Sequence, residues 1–151
     1  MRTMKLTALL LAALLIAAAL TGCGDKKPAS YVDGTYEGRS SVYEGDEEGN
    51  GDGYGIVSIT IKDNKIVACT FQTYEKDDTP KGEDYGKARG GVANKDYYNK
   101  AQKAVAGAAE YARQLVEVGE LDKVDAISGA TVNYGQFQEA VEDALDKAKE
   151  R

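Results

Sequence analysis

Two adjacent segments in which apolar and polar residues alternate constrain the fold of this chain most strongly. They cover residues 54–61 and 66–74, and their alternating apolar positions are Val57, Ile59, Ile61, Val67, Cys69 and Phe71. A period of two places these side chains on one face of a pleated strand. Asp63 and Asn64 between the segments tolerate positive φ and suit a tight turn. The pattern predicts a β-hairpin with one apolar face.

Two later segments have helical periodicity. The apolar positions of the first are Tyr98, Ala101, Val105, Ala108, Ala112 and Leu115, with Gly119 as its stop. Those of the second, over about 134–149, are Phe137, Ala140, Val141, Ala144, Leu145 and Ala148. Asn133 and Gln136 have the spacing of an N-cap and its reciprocal partner. With a short strand over 34–38, these segments predict an α+β domain, an antiparallel sheet with two main helices on one face.

The N-terminus has the composition of an export signal. Arg2 and Lys5 precede a 15-residue apolar and small-residue run over 6–20, which is shorter than the roughly 20 residues of a spanning helix. The run ends in Leu20-Thr21-Gly22-Cys23, which resembles the lipobox of bacterial lipoproteins. The resemblance implies cleavage before Cys23 and its lipidation. The alternative is an ordinary secretory cleavage site with an incidental cysteine.

These features divide the chain into a signal peptide over 1–22, a lipidated Cys23 with its tether over 23–33, and one domain over 34–151. The tether is polar, contains Pro28 and reaches about 35 Å when extended. We therefore expect the domain to stay close to the outer side of the cell membrane, where it can meet membrane partners.

Charge and missing residue types exclude several functions. The full chain has a net charge of −6, and removal of Arg2 and Lys5 with the signal leaves −8. Such a surface disfavours nucleic acid, whose binding depends on lysine and arginine. The chain has no histidine, and Cys69 is the only cysteine besides Cys23. Histidine-based nucleophilic triads, the usual zinc sites and a disulfide within the domain are thereby excluded. Cys69 is interpreted as a small buried apolar residue; the alternative is a redox thiol.

Two polar segments interrupt the regular pattern. Residues 45–53 are acidic and glycine-rich, but a calcium loop counted from Asp46 has Val57 at its twelfth position, where glutamate is required. A solvated loop is the better interpretation. Residues 75–96 are longer than ordinary connections, which predicts a functional loop such as a lid, or disorder.

The most specific segment lies between the two helices. Residues 124–127 are a short, mainly apolar approach, and Ser128, Gly129 and Ala130 form a small-residue turn before the second helix. A turn of this kind exposes backbone N–H groups at the positive end of a helix dipole. It is therefore a candidate phosphate site.

The seven residues Asp125-Ala126-Ile127-Ser128-Gly129-Ala130-Thr131 resemble a known pattern. It belongs to the FMN-binding domains of the sodium-pumping NADH:quinone reductase, the Rnf complex and many small exported lipoproteins. The resemblance implies that a separate flavin transferase joins the phosphate of FMN to the Thr131 hydroxyl. It also implies close backbone approach at Gly129 and Ala130, a phosphate hydrogen bond from Ser128, and recognition of Asp125 by the transferase.

The resemblance covers most of the domain, with two departures. Residues 78–82, Asp-Thr-Pro-Lys-Gly, only loosely resemble the Glu-Thr-Pro-Gly segment that approaches the flavin ring in larger members. Asn133 stands where the family commonly has serine or threonine. Since the chain has ten tyrosines and no tryptophan, ring contacts are expected from tyrosines, with Tyr85 and Tyr134 as candidates.

The sequence thus predicts an electron carrier and not an enzyme, with FMN supplying the redox chemistry. A quinol-linked or other membrane dehydrogenase is the expected donor, and the acceptor is undetermined. The alternative is a cell-surface binding or adaptor module of the same fold without covalent flavin. A hydrolase is disfavoured because the chain has no histidine and no obvious nucleophile elbow.

Overall fold

A computed structural model describes residues 29–47 and 49–149. The predicted signal peptide, Cys23 and most of the tether lie outside these residues. The elements, in chain order, are β1 (Gly34–Arg39), β2 (Tyr54–Lys62), β3 (Lys65–Tyr74), α1 (Lys95–Val118), a short 3-10 helix (Leu121–Lys123) and α2 (Thr131–Ala148). The strands form an antiparallel sheet in the order β1-β2-β3. The predicted α+β class is confirmed.

The hairpin forms where its pattern predicted, but its register contains a bulge. Asp63 and Asn64 turn the chain with φ of 51° and 59°, as a two-residue hairpin loop requires. The pairing shifts beside Thr60, so that Ile61 pairs with Ile66 and Val67 becomes the additional residue. Val67 lies on the edge strand β3 at 49% exposure, in a shallow surface groove that it lines with Cys69 and Ala112, so this apolar position does not contribute to the buried core.

Both helices pack on the sheet face that carries the buried side chains of β2. The shared core combines strand and helix residues: Val57, Ile59, Ile61, Phe71, Ala108, Tyr111, Leu115, Phe137, Ala140, Val141 and Ala144. The stripe of α2 is thus confirmed as core, whereas that of α1 is core only from Ala108 onward, because Tyr98, Ala101 and Val105 lie outside the core cluster. Gly119 ends α1 in the left-handed conformation, with φ of 75° and its N–H donating to the Leu115 carbonyl. Cys69 is half-buried beside this core, and burial raises the pKa of its thiol to about 12.

The start of α2 differs from the prediction. The helix begins at Thr131, not at Tyr134, and its N-cap is Ala130, which supplies no side-chain hydrogen bond. Asn133 and Gln136 lie inside the first turns, where their amides donate to the carbonyls of Ala104 (2.7 Å) and Gly53 (2.8 Å). Both side chains are buried. Hydrogen bonds to neighbouring segments therefore occupy the two side-chain amides that their spacing had assigned to helix capping.

None of the helices in the described part of the chain has the length and apolar character needed to cross a membrane.

Close packing of α2 on β1 depends on Gly38. A Cβ at this position would lie 1.9 Å from the Ala140 carbonyl oxygen and 2.6 Å from the Ala144 nitrogen. We expect Gly38→Ala to lower the free energy of unfolding by about 1–3 kcal/mol, because the helix must move off the strand. Urea unfolding followed by circular dichroism measures the change.

Gly135 provides the matched control. It lies in α2, and a Cβ added to it would have no atom within 4 Å outside its own stretch of helix. Gly135→Ala should therefore raise the free energy of unfolding by roughly 0.5–1 kcal/mol through helix propensity. Equal effects of the two substitutions would contradict the packing assigned to Gly38.

Candidate functional site

The motif predicted to carry the chemistry forms a tight turn directly before α2. The Ala130 N–H donates to the Ile127 carbonyl at 3.0 Å, and Gly129 has a φ of 84°. Positive φ at the third position of a four-residue turn favours glycine, since other side chains are strained there. Ser128 and Gly129 are exposed at the tip, and Thr131 is exposed as the first residue of the helix.

Tyr111 of α1 holds this turn from beneath. Its hydroxyl accepts a hydrogen bond from the Ile127 N–H at 2.9 Å and donates to the Ala130 carbonyl at 3.1 Å. Burial raises the pKa of the phenol, and the bond from Ile127 opposes that shift. The hydroxyl therefore keeps the proton that it donates. One buried side chain thus bridges both ends of the turn.

Glycine also allows α1 to approach the motif. A Cβ on Gly107 would lie 2.5 Å from the Ala130 Cβ. Any larger residue at position 107 would push the turn away from the helix. Together with the Asn133–Ala104 hydrogen bond, this contact fixes the first turn of α2 against the middle of α1.

Beside the motif lies a cavity of about 520 Å³, within the usual range for small-molecule sites. Four parts of the chain line it: the loop before β2, the β3–α1 loop, the first half of α1, and the start of α2. The residues from the predicted motif are Gly129, Ala130 and Thr131. Ser128 and Asp125 do not line it; Asp125 is exposed, and its N–H donates to the Gln114 side chain at 2.9 Å.

The two tyrosines proposed as ring contacts have different positions. Tyr85 lines the cavity, and burial raises the pKa of its phenol, an effect to which neighbouring Tyr97 adds. Tyr134 belongs to the core instead. Its ring packs on Tyr111 with centroids 5.3 Å apart, and its hydroxyl donates to the Val124 carbonyl at 2.8 Å. Tyr134 does not line the cavity, so the structure gives no support to its interpretation as a contact of the flavin ring.

Sequence reasoning missed most of the other lining residues. Tyr97, Lys100, Ala101 and Ala104 line the cavity from one side of α1. They are spaced by three, one and three residues, as residues on one face of a helix are. This spacing was the only indication of them in the sequence. Lys81 gave no such signal, because the β3–α1 loop has no periodic pattern that would indicate which of its side chains turn inward.

The lining is positively charged within an acidic protein. Among the described residues that line the cavity, the charged ones are Lys81, Lys100 and Asp46. The Asp46 carboxylate accepts hydrogen bonds from the Tyr43 hydroxyl and from the backbone and side chain of Asn50. Lysines, aromatic rings and an uncapped helix start are the groups that a phosphorylated aromatic cofactor requires.

Two solved structures are similar to this chain, and the first of them supports the fold. A crystal structure of a protein from Clostridium perfringens is 26% identical, covers 78% of this chain and 88% of its own, and superposes with a TM-score of 0.50. A solution structure of a protein from Clostridium thermocellum is 23% identical, covers 76% of this chain and 90% of its own, with a TM-score of 0.40. No curated protein matches the chain.

The sequence model of the FMN-binding domain matches residues 50–146. The matched region contains β2, β3, α1, most of α2, the β3–α1 loop and the motif. Its cofactor is FMN, in agreement with the phosphate-compatible helix start and the aromatic lining of the cavity. The chain therefore belongs to the FMN-binding domain family.

Proposed function

We propose that this protein carries FMN joined covalently to Thr131 and works as an electron carrier on the outer side of the cell membrane. The observation that supports this most is the position of Thr131: it is exposed, it begins the uncapped helix α2, and it lines the 520 Å³ cavity. A cofactor attached there would have its phosphate at the helix start and space beside it for the remainder of the molecule.

The attachment reaction uses the Thr131 hydroxyl and FAD. A separate transferase catalyses attack of the hydroxyl oxygen on the phosphorus nearer riboflavin. The new P–O bond joins threonine to FMN, the pyrophosphate bond breaks, AMP leaves, and the hydroxyl proton passes to solvent. The remaining phosphodiester is negatively charged, so the positive end of α2 would stabilise it. Lys103 lies beside the turn, with its Cδ 3.8 Å from the position of a Gly129 Cβ, and would add a second favourable charge.

The bound cofactor would supply the redox chemistry, and the protein would bind, orient and electrostatically tune it. On this proposal the protein exchanges electrons with its partners and does not turn over a substrate. A quinol-linked or other membrane dehydrogenase is the proposed donor, because the short tether would keep the domain near the membrane.

The direct test is covalent flavin on the mature protein coexpressed with an active flavin transferase. We expect a mass increment equal to FMN less water, and flavin fluorescence in a denaturing gel. Thr131→Ala should abolish both signals, whereas Thr131→Ser should retain them because it keeps the hydroxyl. Thr70 is an exposed threonine of β3, and Thr70→Ala should leave both signals unchanged. An unmodified wild-type protein would instead favour a binding or adaptor module.

The hydroxyl of Tyr111 should affect loading without contacting the flavin. Tyr111→Phe leaves the Ile127 N–H and the Ala130 carbonyl without their partner, which should cost about 1–3 kcal/mol in unfolding free energy. We also expect slower flavinylation, measured as the initial rate of mass increment. Tyr36→Phe removes a more exposed hydroxyl, which donates to Val32, and should change neither quantity measurably. A Tyr111→Phe protein that loads at the wild-type rate would contradict the positioning role.

We propose that Cys23 anchors the protein through acyl chains, and the anchor has its own test. Multiple acyl chains bind stably because each buried methylene contributes about 0.8 kcal/mol. Cells fed an alkyne-tagged fatty acid should label the wild-type protein, which should sediment with membranes. Cys23→Ser should lose the label and the sedimentation, while Cys69→Ser keeps both. Equal labelling of wild type and Cys23→Ser would exclude this anchor.

A further inference from the structure

Lys81 is a buried cation in the wall of the cavity. It is 6% exposed and lies in the β3–α1 loop, where both of its backbone groups are bonded. Its N–H donates to the Thr73 carbonyl at 2.8 Å, and its carbonyl accepts from the Gln72 side chain at 3.0 Å. The same loop is tied to β2 by the Tyr54 hydroxyl, which donates to Asp78 at 2.6 Å. The lysine is thus held in place by the sheet.

The ammonium group of Lys81 contacts only neutral groups at short range. Nζ donates to the Asp52 carbonyl at 2.5 Å and lies 4.7 Å from the centroid of the Tyr85 ring. Within residues 29–47 and 49–149, no carboxylate lies within ion-pair distance of this nitrogen. Burial lowers the pKa of Lys81, while Glu75 and Asp52 oppose the shift from farther away. A buried charge without an opposite partner is costly, so its retention indicates a negative group that it meets in use.

The positions of the cavity residues along α1 indicate which part of a bound flavin would lie next to Lys81. Gly107 contacts the motif, while Tyr97 lies beside Tyr85. These two α1 residues are ten positions apart, or about 15 Å of helix. With the phosphate on Thr131 at the Gly107 end, the sugar-alcohol chain of FMN would carry the ring toward Tyr97, Tyr85 and Lys81.

We propose that Lys81 raises the reduction potential of the flavin by placing a fixed positive charge beside the ring, where electron density accumulates on reduction. This inference rests on the proposed attachment of FMN to Thr131. The net acidic surface acts in the opposite direction, but its charges are distant and screened by salt, whereas the interaction of a buried charge is screened much less. Lys81 is in this sense a tuning residue that acts on the cofactor and takes no part in its attachment.

The test compares midpoint potentials of flavinylated variants by spectroelectrochemical titration, after intact mass has established complete loading of each. Lys81→Met should lower the equilibrium constant for reduction of the attached flavin at least tenfold, which lowers the midpoint potential by about 30 mV for a two-electron couple. Lys81→Arg should restore the wild-type potential because it retains the charge. Lys87→Met removes a charge from the same loop but outside the cavity, and should leave the potential unchanged.

The outcomes separate this inference from the proposed function. Full loading with the same potential in wild type and Lys81→Met overturns the role of Lys81 alone. Failure of the wild type to load overturns the attachment, and the inference with it. If Lys81→Met folds poorly, Lys81→Gln provides the same loss of charge, and an unchanged potential in that variant is equally decisive against the proposal.

Discussion

The two hydrogen bonds of the Tyr111 hydroxyl are the interaction on which the site depends. The ring of Tyr111 is fully buried and packs against Phe137 of α2, with centroids 5.6 Å apart. The hydroxyl at its tip joins the two ends of the turn before Thr131. The same side chain therefore belongs to the hydrophobic core and supports the turn that precedes Thr131. Any change that loosens the core should therefore also shift Thr131, the proposed attachment residue.

The cavity is built from segments that are distant in sequence, and different segments provide groups for different parts of a cofactor. The start of α2 offers backbone N–H groups and a hydroxyl for a phosphate, while the β3–α1 loop offers Tyr85 and Lys81 for a ring. The hairpin and α1 hold the two parts at a fixed separation. A cofactor that bridged them would be oriented as well as attached, which is what electron transfer to a partner requires.

The sequence was sufficient for the elements and for the motif, but not for the contacts between them. Helical periodicity and Gly119 predicted α1 correctly, because each depends on local spacing. The register shift beside Val67 and the role of Asn133 were not predicted, since strand pairing and an inter-segment hydrogen bond depend on partners far along the chain. Resemblance singled out the motif, and the abundance of tyrosine suggested Tyr85 and Tyr134, of which only Tyr85 lines the cavity. The inward position of Lys81 became visible only once the loop was folded onto β2.

Nuclear Overhauser measurements on the flavinylated protein test most directly whether this cavity holds the cofactor. The account predicts cross-peaks between the isoalloxazine protons and the ring protons of Tyr85 and Tyr97, because both line the cavity that begins at Thr131. Thr131→Ala, which should carry no covalent flavin, provides the control. A covalently loaded protein whose isoalloxazine protons show no contact with either tyrosine would contradict the account, since the ring would then lie outside the cavity.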